Sequence, residues 1–258
     1  MELRGKTVLV TRRAEQADEL RAELERHGAR AVVIPMIRIV EPEQWRAFDD
    51  TARNAASFDA VIFTSTNAVE AFFRRLMELK ADVSVWHAKR VYAVGEKTRG
   101  LLERYGFDVA LVPESYSAEG LAAVVLKADV KGLKFLLPQG NLGRDVLPAA
   151  LERSGARVCV VQVYRNVPPE DSVLTEVKQR VQGREFDVVT FASPSAVQNF
   201  ARAVAPETLI ETDTRVAVIG PTTAHEARRL GFAVDIEAQV ATAQGLVEAL
   251  KLYSDRTS

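Results

Sequence analysis

The sequence predicts an α/β fold of two similar lobes, each a parallel sheet flanked by helices, and three observations carry that expectation. Short Val- and Ile-rich runs alternate with helical patterns of roughly 10 to 15 residues, the signature of parallel strands joined by crossover helices. The chain also matches itself: Leu20–Val33 overlays Leu147–Val160 with nine of fourteen positions identical, where average residue usage gives about one by chance. Further on, Phe58–Phe73 overlays Phe186–Ala201, Val91–Thr98 pairs with Val216–Thr223, and Ser117–Leu121 pairs with Thr242–Leu246, the separation holding at 125 to 128 residues. Solenoid and propeller units run roughly 20 to 50 residues, so a repeat of this length is a whole domain. Two such lobes facing each other across a cleft would offer a ligand site.

In the first copy, strands are expected at Thr7–Thr11, Ala31–Ile34, Ala60–Thr64, Val91–Val94 and Val109–Val112. In the second they are expected at Lys134–Leu137, Arg157–Val161, Val188–Ala192, Arg215–Ile219 and Ala233–Ile236. Each is a short β-branched run bounded by polar or Gly residues. The first helix sets Ala17, Leu20 and Leu24 three and four apart and stops at Gly28, as its counterpart stops at Gly155; these are core faces and C-terminal stops.

Composition narrows the function. With 47% hydrophobic and 27% charged residues the chain can bury a core in each lobe. A net charge of −1 and no run of five like charges argue against nucleic acid as a partner. The N-terminus runs straight into a strand, with no signal-peptide core and no apolar stretch of about 18 residues, which points to the cytoplasm and away from a membrane. Cys159, alone in the apolar run Val158–Val161, excludes an internal disulfide and reads as a buried packing residue. His27, His87 and His225 are scattered surface residues without neighbours at ligand spacing, so no metal is expected. No phosphate-binding Gly-Lys loop and no Gly-x-Gly-x-x-Gly turn occurs, so no nucleotide cofactor is expected. A Gly-x-Ser-x-Gly elbow is missing too. Asp59 and Asp187 precede strands and read as turn or cap residues. A reaction here must depend on holding a substrate in one shape, a mode in which orientation supplies roughly 7–11 kcal/mol.

Ligands of open α/β sheets bind outside the carboxyl ends of the strands. Those junctions are small and polar: Thr64–Asn67, Gly95–Thr98, Ser115–Ala118, Ser193–Ser195, Gly220–Thr223 and Ala241–Ala243. Helix capping explains Ser, Thr and Asn at such places. It does not explain why both copies keep them in register. Free amide groups at helix starts hold carboxylate or phosphate without Lys or Arg, so a matched set of junctions could clamp a polyanion.

The motifs Val8–Arg12, Phe63–Ser65, Ala93–Thr98, Tyr116–Leu121, Val163–Arg165, Phe191–Ser195 and Ile219–Ala224 resemble, in order and spacing, the uroporphyrinogen-III synthase family. The likeness runs from about residue 3 to residue 251, nearly the whole chain. It implies flavodoxin-like lobes joined by a two-stranded hinge, with lobe one at 1–36 plus 167–258, lobe two at 40–163, and hinge strands near 35–42 and 162–169. The Pro-bounded stretches Pro35–Pro42 and Gln162–Pro169 suit such a hinge, while sequence alone also allows a tandem arrangement split near residue 131. The family's substrate, hydroxymethylbilane, is a linear tetrapyrrole with eight carboxylates that closes spontaneously to the type I ring. The enzyme, a cyclising hydro-lyase of tetrapyrrole biosynthesis, needs no cofactor. On it the substrate loses its terminal hydroxyl to give an azafulvene, passes through a spiro intermediate and has its last ring inverted.

Residue by residue, the resemblance gives Tyr164 as the hinge tyrosine that donates to, or positions, the departing hydroxyl. Thr98 and Thr223, the equivalent junction threonines, join Tyr164 as candidate catalytic residues, with a binding role or helix capping as the alternatives. Ser65, Ser193 and Ser195 line the site, Gly95 and Gly220 allow close backbone approach, and Arg12 is a carboxylate partner. Asn67, Lys97, Gly140 and Thr222 complete the substrate-binding set. Arg13 stands where the family often has Pro, and Gln139 where it often has a basic residue, which leaves the junction backbone as the firmer expectation. A monomer is expected, and a transient contact with the enzyme that makes hydroxymethylbilane stays open. The competing class is a non-catalytic two-lobed small-molecule binder or regulatory module on the same fold.

Overall fold

The computed structural model describes residues 3–113 and 117–257. The chain divides into two compact units, Met1–Arg38 with Val167–Ser258, and Ile39–Asn166. Eleven strands form among the described residues: β1 (Thr7–Val10), β2 (Arg30–Val33), β3 (Arg38–Val40), β4 (Ala60–Phe63), β5 (Arg90–Ala93), β6 (Val109–Leu111), β7 (Lys134–Gly140), β8 (Arg157–Val167), β9 (Val188–Phe191), β10 (Arg215–Val218) and β11 (Ile236–Glu237).

The first unit's sheet runs β11-β10-β9-β1-β2 and the second's β3-β8-β7-β4-β5-β6. By the internal repeat, β7 and β8 correspond to β1 and β2, while β4, β5 and β6 correspond to β9, β10 and β11. Both sheets therefore share one five-strand order, the doubly wound flavodoxin-like order, to which the second adds β3 at its edge, and each mixes strands from both copies. The parallel pairing of β1 with β9, through Val8 and Val188 to Val10 and Thr190, crosses between copies, as does that of β4 with β7. The carboxyl ends of β1, β2, β9, β10 and β11 consequently align at one edge.

Burial on both sides explains why the strands read as unbroken apolar runs: both faces of each sheet are covered. In the first unit Leu9, Val189, Phe191, Val216 and Val218 pack against the helices Asp171–Gln182, Pro194–Ala201 and Pro221–Arg229. Val8, Val10, Val188 and Ala217 face the opposite core with Leu20, Leu24, Leu246 and Leu250 of Ala14–Arg26 and Ala243–Thr257. In the second unit Val61, Phe63, Leu136, Val161 and Val163 join an aromatic core around Phe72. Ala60, Ile62, Phe135 and Leu137 face Leu121, Leu147 and Leu151.

At the amino edges, acidic residues fasten neighbouring strands. Asp187 accepts from the Thr7 amide at 2.7 Å, Asp59 from the Lys134 amide at 2.8 Å and Asp235 from the Val216 amide at 2.8 Å. Carboxylates occupied with backbone donors are structural. Cys159 is only partly buried, against the aromatic core, not fully enclosed as expected. His27 is half-buried beside Glu23, departing from the surface expectation, because Glu23 sits one helical turn before it; His87 and His225 are exposed. The last strand begins at Ile236 and not at Ala233, since Phe232 packs against Phe191 and Phe200 and Asp235 serves as a clasp.

Glu226, on the helix Pro221–Arg229, links two helices whose starts form junctions. Arg229 donates to it at 2.7 and 2.8 Å and Gln198, from Pro194–Ala201, at 2.7 Å. Hydrogen bonds from Arg229 first and Gln198 second, opposed by burial, lower its pKa from 4.5 to about 2. The folded value lies below the unfolded one, so this stabilisation is complete above pH 4.5 and is lost as the pH falls through about 2. Acid unfolding of Glu226→Gln, followed by circular dichroism, should be less pH-dependent in that window than the parent's; identical pH dependence would refute this.

Candidate functional site

The second unit's carboxyl edge carries a concavity of about 390 Å³ lined by residues that include Ser65, Ser117, Gln139, Gly140, Arg144 and Tyr164. Three sequence-expected residues meet there: Ser65, Gly140 and Tyr164. Ser65 caps the helix Thr66–Glu78, its Oγ accepting from the Ala68 amide at 3.1 Å. The same Oγ lies 3.2 Å from the Tyr164 hydroxyl, and either group can donate. Gly140 ends β7, and its missing side chain is a requirement of Tyr164. A Cβ there would stand 2.5 Å from Tyr164 Cε2 and 2.6 Å from Cζ. Tyr164 owes its place to a register shift: Gln139 pairs with Gln162, but Gly140 pairs with Tyr164, leaving Val163 as the extra residue of a bulge.

The next junction starts the helix Glu96–Arg104 with Gly95 as its N-cap, without a side-chain cap bond. Gly220 does the same for Pro221–Arg229. The threonines therefore do not cap; Thr98 and Thr223 sit three residues further in, 4% and 3% exposed. Neither hydroxyl is hydrogen-bonded to another described residue, and among the described residues no fully buried polar side-chain atom lacks a partner, so each oxygen lies in the residue's small exposed area. A helix start leaves its first amides without intrahelical partners, which suits an anion; at the second start Pro221 has no N–H, so those amides are of Thr222 and Thr223. Lys97 and Thr222 are exposed on the same first turns, and Asn67 is half-buried on that of Thr66–Glu78. At Gly220 the nearest atom to a built Cβ is Ala241 Cβ at 3.8 Å, so close packing does not demand that glycine.

In the first unit, Thr11 donates to the Thr190 carbonyl at 2.7 Å and Thr190 to the Leu9 carbonyl at 3.0 Å, locking β1 to β9 where the strand order reverses. Arg12 follows directly. It is half-buried and forms no hydrogen bond or ion pair with another described residue; burial, then the nearby Arg13, lower its pKa against the pull of Glu19. A desolvated, uncommitted guanidinium gains from a carboxylate. Ser193 caps Pro194–Ala201 through Ala196 at 3.3 Å, and its hydroxyl lies 3.3 Å from that of Ser195. Ser117 and Thr242 also accept from backbone amides, those of Gly120 and Gly245, each at 3.0 Å. Ser115 and Tyr116 lie outside the described residues.

Arg144 and Asn166 line the concavity without having been singled out from the sequence, beside Glu119 of the motif Tyr116–Leu121. For Arg144 the available signal is its place in the loop after β7, also a strand-to-helix junction, but one that holds Gly and Asn in place of Ser and Thr. A second concavity, about 320 Å³, lies at the first unit's amino edge. Its cations Lys6 and Arg215 are already paired with Asp187 and Asp213, so it offers an anion much less. Among the described residues no cluster could hold a metal ion, and no helix is long and apolar enough to cross a membrane.

Comparison with known proteins bears on the family and the fold. The family model described as uroporphyrinogen-III synthase HemD matches residues 18–248. A uroporphyrinogen-III synthase of Chlorobaculum parvum is 33% identical over 251 residues, covering 95% of this chain and 100% of its own. That of Synechococcus elongatus is 30% identical over 265 residues, covering 98% and 97%. Among solved structures, a mutant uroporphyrinogen III synthase from Thermus thermophilus has a TM-score of 0.66 at 16% identity, covering 98% of this chain and 100% of that one. The Helicobacter pylori enzyme has a TM-score of 0.64 at 19% identity, covering 96% and 99%. Those two likenesses speak for the fold, and the sequence matches for the family. From the polar junctions kept in both copies to relatives aligned along almost their whole length, the observations converge: the chain belongs to the uroporphyrinogen-III synthase family.

Proposed function

We propose that this chain is a uroporphyrinogen-III synthase, a cyclising hydro-lyase that converts hydroxymethylbilane to uroporphyrinogen III with loss of water and inversion of the terminal ring. The observation that carries this reading is the Tyr164 hydroxyl, held over Gly140 and beside Ser65 in an open concavity. Tyr164 donates a hydrogen bond or proton to the departing hydroxyl. Carboxylates of the substrate are held by the amides at Gly95–Thr98 and those of Gly220, Thr222 and Thr223, by the Thr98 and Thr223 hydroxyls, and by Arg12. Ser65, Asn67, Lys97, Gly140, Ser193, Ser195 and Thr222 complete the binding surfaces of the two units. Orientation directs the bond that forms, with no cofactor and no metal.

The stretches near 35–42 and 162–169 serve as a two-stranded hinge; the first contains β3 and the second the end of β8, these strands are neighbours in one sheet, and the chain passes from one unit to the other there. The protein acts as a cytoplasmic monomer. A non-catalytic binder is not favoured, because relatives matched over nearly their whole length are synthases. Incubation with freshly made hydroxymethylbilane, followed by oxidation and separation of isomers, should give predominantly type III product; type I alone would refute the reading.

A further inference from the structure

We infer that Asn141 is a positioning residue, whose side-chain amide substitutes for a missing strand residue and thereby fixes Tyr164 over Gly140; this rests on the synthase reading. The bulge at Val163 breaks the regular β7–β8 ladder just before Tyr164, and β7 stops at Gly140. β8 continues to Val167, so on the β7 side Asn166 is left without a strand residue opposite it. Asn141 fills that place. Its Oδ1 accepts from the Asn166 amide at 2.8 Å, and its Nδ2 donates to the Asn166 carbonyl at 3.2 Å.

The fork works because Asn141 is itself held. The Gly143 amide donates to the Gly140 carbonyl at 3.0 Å, closing a turn with Asn141 as its second residue. Gln139 folds against Gly143 so closely that a Cβ there would stand 2.2 Å from its Cδ. Tyr164 thus lies between two fixed points on β8, the bulge before it and the fork two residues after it. Its ring rests on Gly140 and its hydroxyl reaches Ser65. Among the side chains, only Asn and Gln offer an amide donor and acceptor together, and Gln is one methylene longer. Asp keeps the acceptor but presents an oxygen to the Asn166 carbonyl, and Ala removes both contacts.

The test is a double-mutant cycle with Tyr164→Phe, read as kcat and KM on hydroxymethylbilane. Asn141→Ala should lower kcat roughly 10- to 100-fold, as misplacement of a reacting group does, with KM within about twofold. In the Tyr164→Phe background the same change should cost nothing further. An equal loss in both backgrounds, or a rise in KM at constant kcat, would overturn the inference. Asn141→Asp, nearly isosteric, gives the same reading if the alanine variant folds poorly. Independently of activity, fluorotyrosine labelling identifies the Tyr164 19F resonance by its loss in Tyr164→Phe. That resonance should shift or broaden in Asn141→Asp; an unmoved signal would overturn the proposal even if the wild type made no type III product, and a moved one would support it.

Discussion

Gly140→Ala is expected to lower turnover of hydroxymethylbilane about 100-fold, the scale of loss seen when a reacting group is displaced by about 1 Å. Gly140 does not have a positive φ, so alanine meets no backbone strain and the whole effect comes from one methyl group. That methyl would stand 2.5 Å from Tyr164 Cε2, 2.6 Å from Cζ and 3.0 Å from the hydroxyl. The ring cannot yield inward, because Tyr164 packs on the buried aromatic core beside Val161 and Val163. It must swing outward and abandon Ser65. Steady-state kinetics and a thermal melt separate the outcomes: a large loss in kcat at nearly constant melting temperature supports the account, and unchanged kcat contradicts it.

Phe72→Ala should destabilise the second unit by about 3–5 kcal/mol, the usual cost of removing a fully buried Phe side chain. Phe72 is the hub of that unit's core, with ring centroids 5.3 Å from Phe48, 5.3 Å from Phe63, 5.1 Å from Phe73 and 5.2 Å from Trp86. Edge-to-face contacts add to area burial, and no neighbour on a fixed strand can close the gap fully. Phe63 ends β4 two residues before Ser65, so the cavity also loosens the floor of the concavity. Urea unfolding followed by tryptophan fluorescence should show a lower midpoint at similar slope. A midpoint unchanged from the parent would show that the hub is not energetically central.

The sheets were legible because their strands are buried on both faces and so read as plain apolar runs, as β1 does in Thr7–Val10. Where something else sets an element, sequence reading slipped. The apolar run of β8 ends at Val161, yet the strand continues to Val167: β7 pairs with it as far as Tyr164, and β3 is its neighbour on the other side. β3, at Arg38–Val40, is too short to carry a periodic signature and exists through its neighbour β8. The exchange of strands between copies left no local mark, since the repeat looks the same whichever copy its strands join. For the site, Ser65 and Tyr164 were readable from their motifs. Asn141 and Asn166 were not, because their contact spans 25 residues and depends on a one-residue bulge. Thr98 and Thr223 could equally have been caps until Gly95 and Gly220 proved to occupy the cap positions.

The central claim is that main-chain donors at the carboxyl ends of the strands grip an octacarboxylate. It is tested most directly by titrating the isotopically labelled protein with uroporphyrin III and following assigned backbone amide resonances. The largest shifts are expected at Gly95–Thr98, at Gly220, Thr222 and Thr223, and at Ser65–Asn67, with little change at Lys6, Asp187 and Arg215 on the opposite edge. Shifts concentrated at that opposite edge, or confined to exposed Lys and Arg side chains while the junction amides stay still, would contradict it.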